Sequence, residues 1–383
     1  MMKLPIIVNN LFKTYAEHGY DLYLVGGAVR DYLLNKVVGE YDFATTATVE
    51  DSLTFLTYDV VDRYQQALGS LKIKQGCNEF EITTMRIETG VKSNRYPEQT
   101  IFTDDVRIDA LRRDFTINAI YYHPEQGFID PLGGISDLNK GMIKFVKSAD
   151  ISIQEDPIRL IRALRFSHTL GFKIDDVDYQ AMIKLAGLVN SLKQIKYSEL
   201  YKIFSLEHFP LSLKKHLPVY LKSYPSLNQD LINQMIERNL CYSKYVMFLL
   251  FPKEEALSFV NNLNLSKDEV KLIKHLISFE KVSPSLINVK RLLRKIADLE
   301  PVLTILKPFD EAYFSEMMQY LNLIKEQHLC VDKKDLAITG QDLIEIGIPR
   351  SHIKAIIDEL LEMTINDDSL NNREILLDIA LKK

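Results

Sequence analysis

The sequence Leu24-Val25-Gly26-Gly27-Ala28-Val29-Arg30-Asp31 predicts an apolar strand that ends in two glycines and passes directly into a helix. Glycine has no Cβ, so the backbone N–H groups of such a turn can approach a phosphate closely, beside a helix N-terminus that favours anions. Arg30 lies one turn into the helix, where its guanidinium could hold phosphate oxygens bidentately. The pattern also fits a tight strand-to-helix turn with a solvated Arg-Asp pair, and the stretch alone leaves both interpretations open.

A pair of acids, Glu40 and Asp42, follows this turn. Residues two apart in a strand point to the same face, so the two carboxylates would lie side by side. Like charges in that position repel each other unless a cation lies between them. Hard divalent ions such as Mg²⁺ bind carboxylate oxygens together with substrate phosphates. The pair is therefore a candidate metal site, and an exposed polar strand face is the alternative.

A second basic group is the run Arg112-Arg113-Asp114-Phe115-Thr116-Ile117-Asn118, which enters a β-prone segment. Two adjacent arginines there suggest that one is buried by pairing with Asp114 while the other faces a ligand. A surface ion pair is the alternative interpretation of the same residues.

A third group lies between Glu155 and Phe166, where Asp156 followed by Pro157 predicts a helix start with aspartate at the N-cap. Three arginines follow at intervals of three residues, at positions 159, 162 and 165. The chain contains far more lysine than arginine, yet this run has no lysine. Arginine has a planar fork suited to phosphates and base edges, which favours a binding role over a solvated helix face.

The chain changes character near residue 150. Before that point, short β-type runs (22–25, 71–74, 80–84 and 117–122) alternate with helical patterns (28–34 and 49–56) and glycine turns. The polar stretch 86–105 lacks a period and predicts a mobile loop. After Asp156 nearly everything follows the helical period, with prolines as breaks and no fixed-length repeat.

Composition narrows the class of protein. With 383 residues, 46% hydrophobic and 26% charged, the chain is typical of a soluble globular protein of two or three domains. No apolar run is long enough to span a bilayer, no signal peptide is evident, and three scattered cysteines suit a reducing cytoplasm. The net charge of −5 counts against a nucleic-acid binder, but six arginines between residues 107 and 165 concentrate positive charge locally.

Together these residues resemble the bacterial and eukaryotic class of CCA-adding tRNA nucleotidyltransferases, in the polymerase-beta-like superfamily. That family carries an LVGGxVRD segment, a close acid-x-acid pair, an RRDFTINA segment and an EDxxRxxRxxRF helix, and all four occur here in order. The segments 130–138 and 338–343 also fit, so the resemblance spans the whole chain.

The resemblance implies an α+β fold with a mixed-sheet nucleotidyltransferase head (1–148), a helical neck (149–210) and a tRNA-binding helical body and tail (211–383). It implies that Glu40 and Asp42 hold two Mg²⁺ ions, although the first of these positions usually carries aspartate in the family. The longer Glu40 must fold back to reach a metal. Glu81, on one strand face with Glu79, is a candidate third carboxylate. The implied nucleotide-binding residues are Gly27, Arg30, Arg113, Asp156, Arg159, Arg162 and Arg165.

The implied reaction is attack by a tRNA 3′-hydroxyl on the α-phosphate of CTP or ATP, with release of pyrophosphate. Asp156 and Arg159 would select cytosine and adenine, which share an amino donor beside an unprotonated ring nitrogen; uracil and guanine present the reverse polarity. Basic stretches at 267–274 and 290–295 are candidates for phosphate contacts with tRNA, and an ordinary solvated helix face is the alternative for each.

Three alternatives stay open at this point. A poly(A) polymerase of the same superfamily would carry a Gly-Arg-Arg/Lys-Phe run after the acidic pair, which the segment 61–70 lacks. An enzyme that adds only CC or only A, and a catalytically inactive RNA-binding relative, are the others. The sequence predicts no membrane association and leaves the oligomeric state open.

Overall fold

The computed structural model describes residues 2–62, 69–75, 78–90, 98–192, 195–206, 209–238, 240 and 242–382. Within them the chain forms two compact units, Met1–Pro225 and Ser226–Lys383. The limits predicted at residues 148 and 210 stay predictions. Cys77, Cys241 and the segments 63–68 and 91–97, on which parts of the sequence interpretation depend, lie outside the described residues.

The first unit contains a seven-stranded mixed sheet with the order β3-β4-β5-β2-β1-β8-β9, in which β2 and β5 are parallel. Short two-stranded sheets pair β6 with β7 and β10 with β11. The strands are β1 (Leu22–Val25), β2 (Tyr41–Thr45), β3 (Asp59–Asp62), β4 (Ser70–Gln75), β5 (Asn78–Thr84), β6 (Arg86–Thr89), β7 (Gln99–Phe102), β8 (Tyr121–His123), β9 (Gly127–Ile129), β10 (Met142–Ile143) and β11 (Lys173–Ile174).

The first helices of the first unit alternate with the strands of the sheet, and the later ones follow it along the chain. They are α1 (Ile6–Glu17), α2 (Gly27–Leu33), α3 (Val49–Phe55), α4 (Val106–Ala110), α5 (Gly134–Asn139), α6 (Ala149–Glu155), α7 (Ile158–Leu170), α8 (Asp176–Leu185), α9 (Ile195–Phe204) and α10 (Phe209–Ser223).

Both faces of β1, an interior strand of the sheet, are buried. Leu22 and Leu24 belong to a core that contains α1, whereas Tyr23 and Val25 belong to a second core that contains α4. All four side chains of β1 are therefore buried, as expected for an apolar strand that is covered on both faces. This placement fixes the Gly26–Gly27 turn at the end of a rigid strand.

Two local predictions were wrong. Residues 117–122 do not form one strand: Thr116–Asn118 is a 3₁₀ turn and β8 begins at Tyr121. Side-chain bonds from Thr116 to Asp137 and from Asn118 to Asp114 compete with strand pairing there. The stretch 86–105 is not a loop throughout, because β6 and β7 pair as antiparallel strands.

The described residues of the second unit form helices and connecting turns without a strand, which confirms the predicted α+β class with an all-α second part. Its helices are α11 (Gln229–Arg238), α12 (Lys253–Asn261), α13 (Lys267–Ile277), α14 (Leu286–Lys295), α15 (Leu299–Leu306), α16 (Glu311–Glu326), α17 (Gly340–Glu345), α18 (Arg350–Asn366) and α19 (Arg373–Leu381). Thr339 and Asp342, in the segment 338–343, form a capping box that starts α17.

The two basic stretches of this unit differ. On α13, Lys267, Lys271 and Lys274 are exposed. On α14, however, Lys290 is completely buried and pairs with Asp368, while Arg291 and Arg294 pair with Glu362. Lys290 is therefore closed off from tRNA, whereas Arg291 and Arg294 stay exposed beside an acid, and the candidate phosphate contacts at 290–295 stay predictions. Across the described residues, no helix has the length and apolar character needed to cross a membrane.

Candidate active site

A cleft of about 890 Å³ lies in the first unit, between the end of β1, the start of β2 and helix α7. It contains all nine residues singled out in the sequence as site residues: Gly27, Arg30, Glu40, Asp42, Arg113, Asp156, Arg159, Arg162 and Arg165. These positions are up to 138 residues apart in the chain (165 − 27 = 138). The fold thus brings them together, while their individual roles stay predictions.

The glycine turn forms one wall of the cleft. Gly26 has φ 76° and ψ −135°, a backbone conformation that residues other than glycine rarely adopt. An added Cβ at Gly26 would lie 3.9 Å from Oδ2 of Asp42, so the turn runs close beside the acidic pair. Arg30, on the following helix, is buried and donates to Asp31 and, at 2.8 Å, to Oδ1 of Asn118. The arginine is thereby fixed in the wall of the cleft.

The acids lie at the start of β2. Asp42 is the second residue of that strand and faces Glu81 of β5 in the parallel register, while Glu40 immediately precedes the strand. Burial, followed by the neighbouring Glu81 and Glu40, raises the pKa of Asp42 to about 6, against the lowering effect of Arg113 and Arg162. Such crowding of negative charge is relieved by a bound cation. One oxygen of Glu81 accepts from Ser70, and Glu81 is not among the residues that line the cleft.

The donor chemistry fits a divalent cation that shares its ligands with a substrate. No group of three or more His, Cys, Asp or Glu among the described residues is arranged to enclose a metal ion. Mg²⁺ is commonly held by one or two carboxylates together with phosphate oxygens, however, rather than by a complete protein cage. Glu40 and Asp42 meet that requirement.

The double arginine has a different partner from the one predicted. Arg112 and Arg113 both bind the buried carboxylate of Asp109, at 2.7 and 3.0 Å, and neither depends on Asp114. Asp109 lies three and four residues earlier, the spacing at which helical side chains meet. The expectation that Asp114 pairs with one of them was therefore wrong.

Asp114 instead connects the segment after α4 to helix α7. Its Oδ2 accepts from Nε and Nη2 of Arg162, at 2.8 and 2.7 Å, and its Oδ1 accepts from the backbone of Phe115 and from Asn118. Asp114 raises the pKa of Arg162. Because Asn118 also accepts from Arg30, a continuous chain of hydrogen bonds joins the glycine-turn helix to the arginine helix.

Helix α7 supplies the opposite wall. The backbone of Asp156 is extended, Pro157 already has helical angles, and Oδ1 of Asp156 accepts from the backbone of Ile158 at 3.1 Å. This agrees with the predicted cap. Arg159 donates to the backbone carbonyl of Arg112 at 2.8 Å and to Glu155 at 3.3 Å.

Several site residues were not singled out from the sequence. Phe166 lines the cleft, and the guanidinium groups of Arg30, Arg162 and Arg165 lie 5.0, 5.5 and 4.3 Å from its ring centroid. Glu199, a buried acid on α9, accepts from Arg165 and from Lys202. The helical pattern of the sequence does not reveal the contacts of Phe166 or Glu199. The one available signal is that a glutamate on the buried face of a helix usually requires a cationic partner.

The segment 130–138 proves to be structural support. Both oxygens of Asp130 accept from the backbone at the start of α5, from Gly134 at 2.7 Å and Ile135 at 2.9 Å. A Cβ at Gly134 would lie 2.1 Å from the carbonyl oxygen of Thr116, so only glycine allows α5 to pack against that turn. The segment thus holds the 3₁₀ turn beside the cleft.

Comparison with known proteins agrees with this architecture. A model of the poly A polymerase head domain matches residues 22–144, and a model of tRNA nucleotidyltransferase domain 2 matches residues 234–380. The CCA-adding enzyme of Bacillus pumilus is 28% identical over 387 residues, covering 95% of this chain and 93% of its own length.

Two solved structures are similar over the whole chain. The Bacillus stearothermophilus CCA-adding enzyme in complex with CTP has a TM-score of 0.73 at 24% identity, covering 100% of this chain and 98% of its own. The Thermotoga maritima CCA-adding enzyme complexed with tRNA has a TM-score of 0.61 at 21% identity, covering 99% and 96%. At these identities the likeness establishes a shared fold.

Proposed function

Because the chain belongs to the CCA-adding enzyme family of tRNA nucleotidyltransferases, we propose that it adds CCA to the 3′ end of tRNA from CTP and ATP. The observation that carries the proposal is the cleft, in which an acidic pair faces a helix bearing three arginines. The reaction joins the tRNA 3′-oxygen to the α-phosphorus and breaks the bond to the pyrophosphate leaving group.

The two walls of the cleft divide the work. Among the residues that line it, seven are cationic and five are acidic, so it suits a triphosphate with four negative charges together with a divalent ion. Arg30, Arg113, Arg162 and Arg165 would neutralise and orient the phosphates, with the Gly26–Gly27 turn allowing close approach. Such preorganised charge is the main source of rate in phosphoryl transfer.

We propose that the metal is Mg²⁺ and that Glu40 and Asp42 would hold two such ions. When bound there, the pair would lower the pKa of the attacking hydroxyl and neutralise the leaving oxygen. The two carboxylates would keep these ions at the start of β2, beside the glycine turn that would receive the phosphates. We also propose that the protein acts in the cytoplasm, where tRNA is processed in a reducing environment compatible with its cysteines.

Selection of C and A would rest on Asp156 and Arg159. A carboxylate accepts from the amino group shared by cytosine and adenine, while a guanidinium donates to the adjacent ring nitrogen. Uracil and guanine would oppose each contact with a group of the same polarity, and unpaired buried polar groups make such sites selective. The bond from Arg159 to the Arg112 carbonyl supports this role, because it orients the guanidinium in the cleft that Asp156 also lines.

The test is nucleotide transfer onto tRNAs that end at the discriminator base, at C, or at CC. We expect the wild-type protein to complete CCA on all three, which separates it from enzymes adding only CC or only A and from a poly(A) polymerase. Glu40→Gln and Asp42→Asn should each reduce transfer on the order of 10³-fold or more.

Glu79→Gln is the matched control. Glu79 lies on β5 near the acidic pair but binds Lys72 and Lys74 and is absent from the cleft lining, so its variant should retain activity. Removal of divalent ions with EDTA should abolish transfer, and Mg²⁺ should restore it. Undiminished transfer by a folded Asp42→Asn protein would contradict the proposal.

A further inference from the structure

Asp109 is a charged residue at the centre of the first unit, with none of its surface exposed. Its Oδ1 accepts from Nε of Arg112 at 2.7 Å and from the backbone N–H of Arg86 at 3.2 Å. Its Oδ2 accepts from Nη2 of Arg113 at 3.0 Å and from the hydroxyl of Tyr121 at 2.7 Å. One carboxylate thus joins α4, the start of β6 and strand β8.

This arrangement exceeds what stability alone requires. A buried ion pair is often no more stabilising than apolar residues of the same volume, because both charges lose their hydration. Asp109 does not line the cleft, so any influence on a bound nucleotide passes through the groups it holds. Two of those groups, Arg112 and Arg113, do line it.

Arg113 is held at both ends of its guanidinium. Nε donates to the hydroxyl of Tyr121 at 2.7 Å while Nη2 donates to Asp109, and the side chain lies against the Tyr121 ring, 4.9 Å from its centroid. Asp109 and Tyr121 also bond to each other, which closes a three-membered network. The network leaves Arg113 one orientation in the cleft wall, on the side of the acidic pair.

Arg112 connects Asp109 to Arg159, the residue proposed to contact the base. Its side chain binds Asp109, and its backbone carbonyl accepts from Nη2 of Arg159 at 2.8 Å. A shift of Arg112 therefore moves the acceptor that orients Arg159. The route from Asp109 to the proposed base contact involves a single intervening residue.

We propose that Asp109 is a positioning residue that sets Arg113 for the triphosphate and, through Arg112, Arg159 for the base. The proposal rests on the proposed function, because it assumes that Arg113 and Arg159 contact the nucleotide. It assigns to one buried carboxylate both the strength of nucleotide binding and the discrimination between bases.

The test compares Asp109→Asn with Asp178→Asn. Asp178 is also buried in the first unit, but its oxygens accept from the backbone of Phe145 and Ala149 and, among the residues that the structure describes, pair with no arginine. Equilibrium binding of CTP and of UTP is measured for both full-length variants, together with KM, kcat and melting temperature. Tyr121→Phe is a milder second variant, which keeps the carboxylate and removes one hydrogen-bonding hydroxyl.

In Asp109→Asn, an amide N–H donor replaces an acceptor that faces two donors. Loss of one charge-assisted bond corresponds to roughly tenfold weaker binding, so we expect CTP affinity to fall at least that far. The preference for CTP over UTP should also fall, with a smaller effect in Tyr121→Phe. Asp178→Asn should lower the melting temperature and leave affinity and preference at wild-type values.

The proposal is overturned if Asp109→Asn and Tyr121→Phe lose stability only, with CTP affinity and base preference unchanged. If Asp109→Asn does not fold, the same two measurements on Tyr121→Phe decide the matter. Should wild-type protein bind CTP but transfer nothing, the proposed function fails, whereas the binding comparison still tests Asp109.

Discussion

At the scale of single residues, Asp156 has two separable tasks, because it caps α7 and lines the cleft. If Asp156 selects the base as proposed, Asp156→Ala removes the carboxylate that would reject a carbonyl group. We then expect the ratio of CTP to UTP incorporation to fall by roughly tenfold or more. The measurement is competitive incorporation onto a tRNA that ends at the discriminator base.

Asp175→Ala provides the control for the lost cap. Asp175 caps α8 through bonds to Val177 and Asp178, so its removal costs about 1 kcal/mol of stability without touching the cleft. A similar fall in base preference in both variants would mean that Asp156 acts through the helix and not through the base.

Asp109 should also make the free energy of unfolding depend on pH. Burial alone would raise the pKa of Asp109, but Arg113, Arg112 and Tyr121 hold it well below its usual range. The group therefore stabilises the fold above its unfolded pKa of about 4, and this contribution is lost as the pH falls further.

Urea unfolding followed by circular dichroism at about pH 7 and about pH 3 tests this dependence. Between these conditions the wild-type protein should lose about 1 kcal/mol more stability than Asp109→Asn, which has no carboxylate to protonate. Equal losses would show that another group controls the acid sensitivity.

Site residues were predictable where their chemistry required a rare residue type at a fixed spacing. Gly26, Asp42 and the arginines of α7 met that condition, and the cleft contains them. Asp109 and Glu199 did not, because an acid on a short helix has no distinctive pattern until the folded chain brings arginines to it. Asp114 was assigned the wrong partner since Arg162, 48 residues away, is invisible to local reasoning.

At the scale of elements, the ring of Phe166 supports the arginine side chains of α7, because two of their guanidinium groups pack against it. The ring packs edge-on against Phe115 and carries guanidinium groups from both α2 and α7. Each cation–π contact contributes about 0.5–2 kcal/mol, so Phe166→Leu should raise KM for CTP and for ATP roughly tenfold.

Steady-state kinetics with both nucleotides measures this effect, and Phe145→Leu is the matched control. Phe145 is buried and packs against Phe115, but it contacts no arginine in the described part of the chain. Its variant should be destabilised with little change in KM. Equal increases in KM would assign the role of Phe166 to general packing.

Helices and strands were predicted well where the hydrophobic period and the residues typical of helix and strand ends agreed. Strand β1 and helices α2 and α3 lie within a residue of their expected limits, because an apolar run, glycines and a capping residue mark their ends. The 3₁₀ turn at Thr116–Asn118 was missed, since its cause is side-chain bonding to Asp114 and Asp137. The pairing of β6 with β7 was missed because polar strands lack a hydrophobic alternation.

At the scale of the whole molecule, the local distribution of charge differs from what the net charge suggests. The chain carries −5 overall, yet its cleft is cationic and α13 exposes three lysines at i, i+4 and i+7. Some exposed cations lie beside an acid instead, as Arg291 and Arg294 do beside Glu362. Binding to a polyanion depends on the exposed cations and on the counterions they displace, and not on the sum.

The two basic stretches of the second unit therefore predict different salt dependence of tRNA binding. Replacing Lys267, Lys271 and Lys274 together with glutamine should reduce the slope of log affinity against log salt by about two, because three phosphate contacts are lost. The charge-balanced variant Arg294→Gln with Glu362→Gln should keep the wild-type slope, since it removes one cation together with the acid that neutralises it. Filter binding across a salt series measures both. An unchanged slope in the lysine variant would exclude α13 from the tRNA interface.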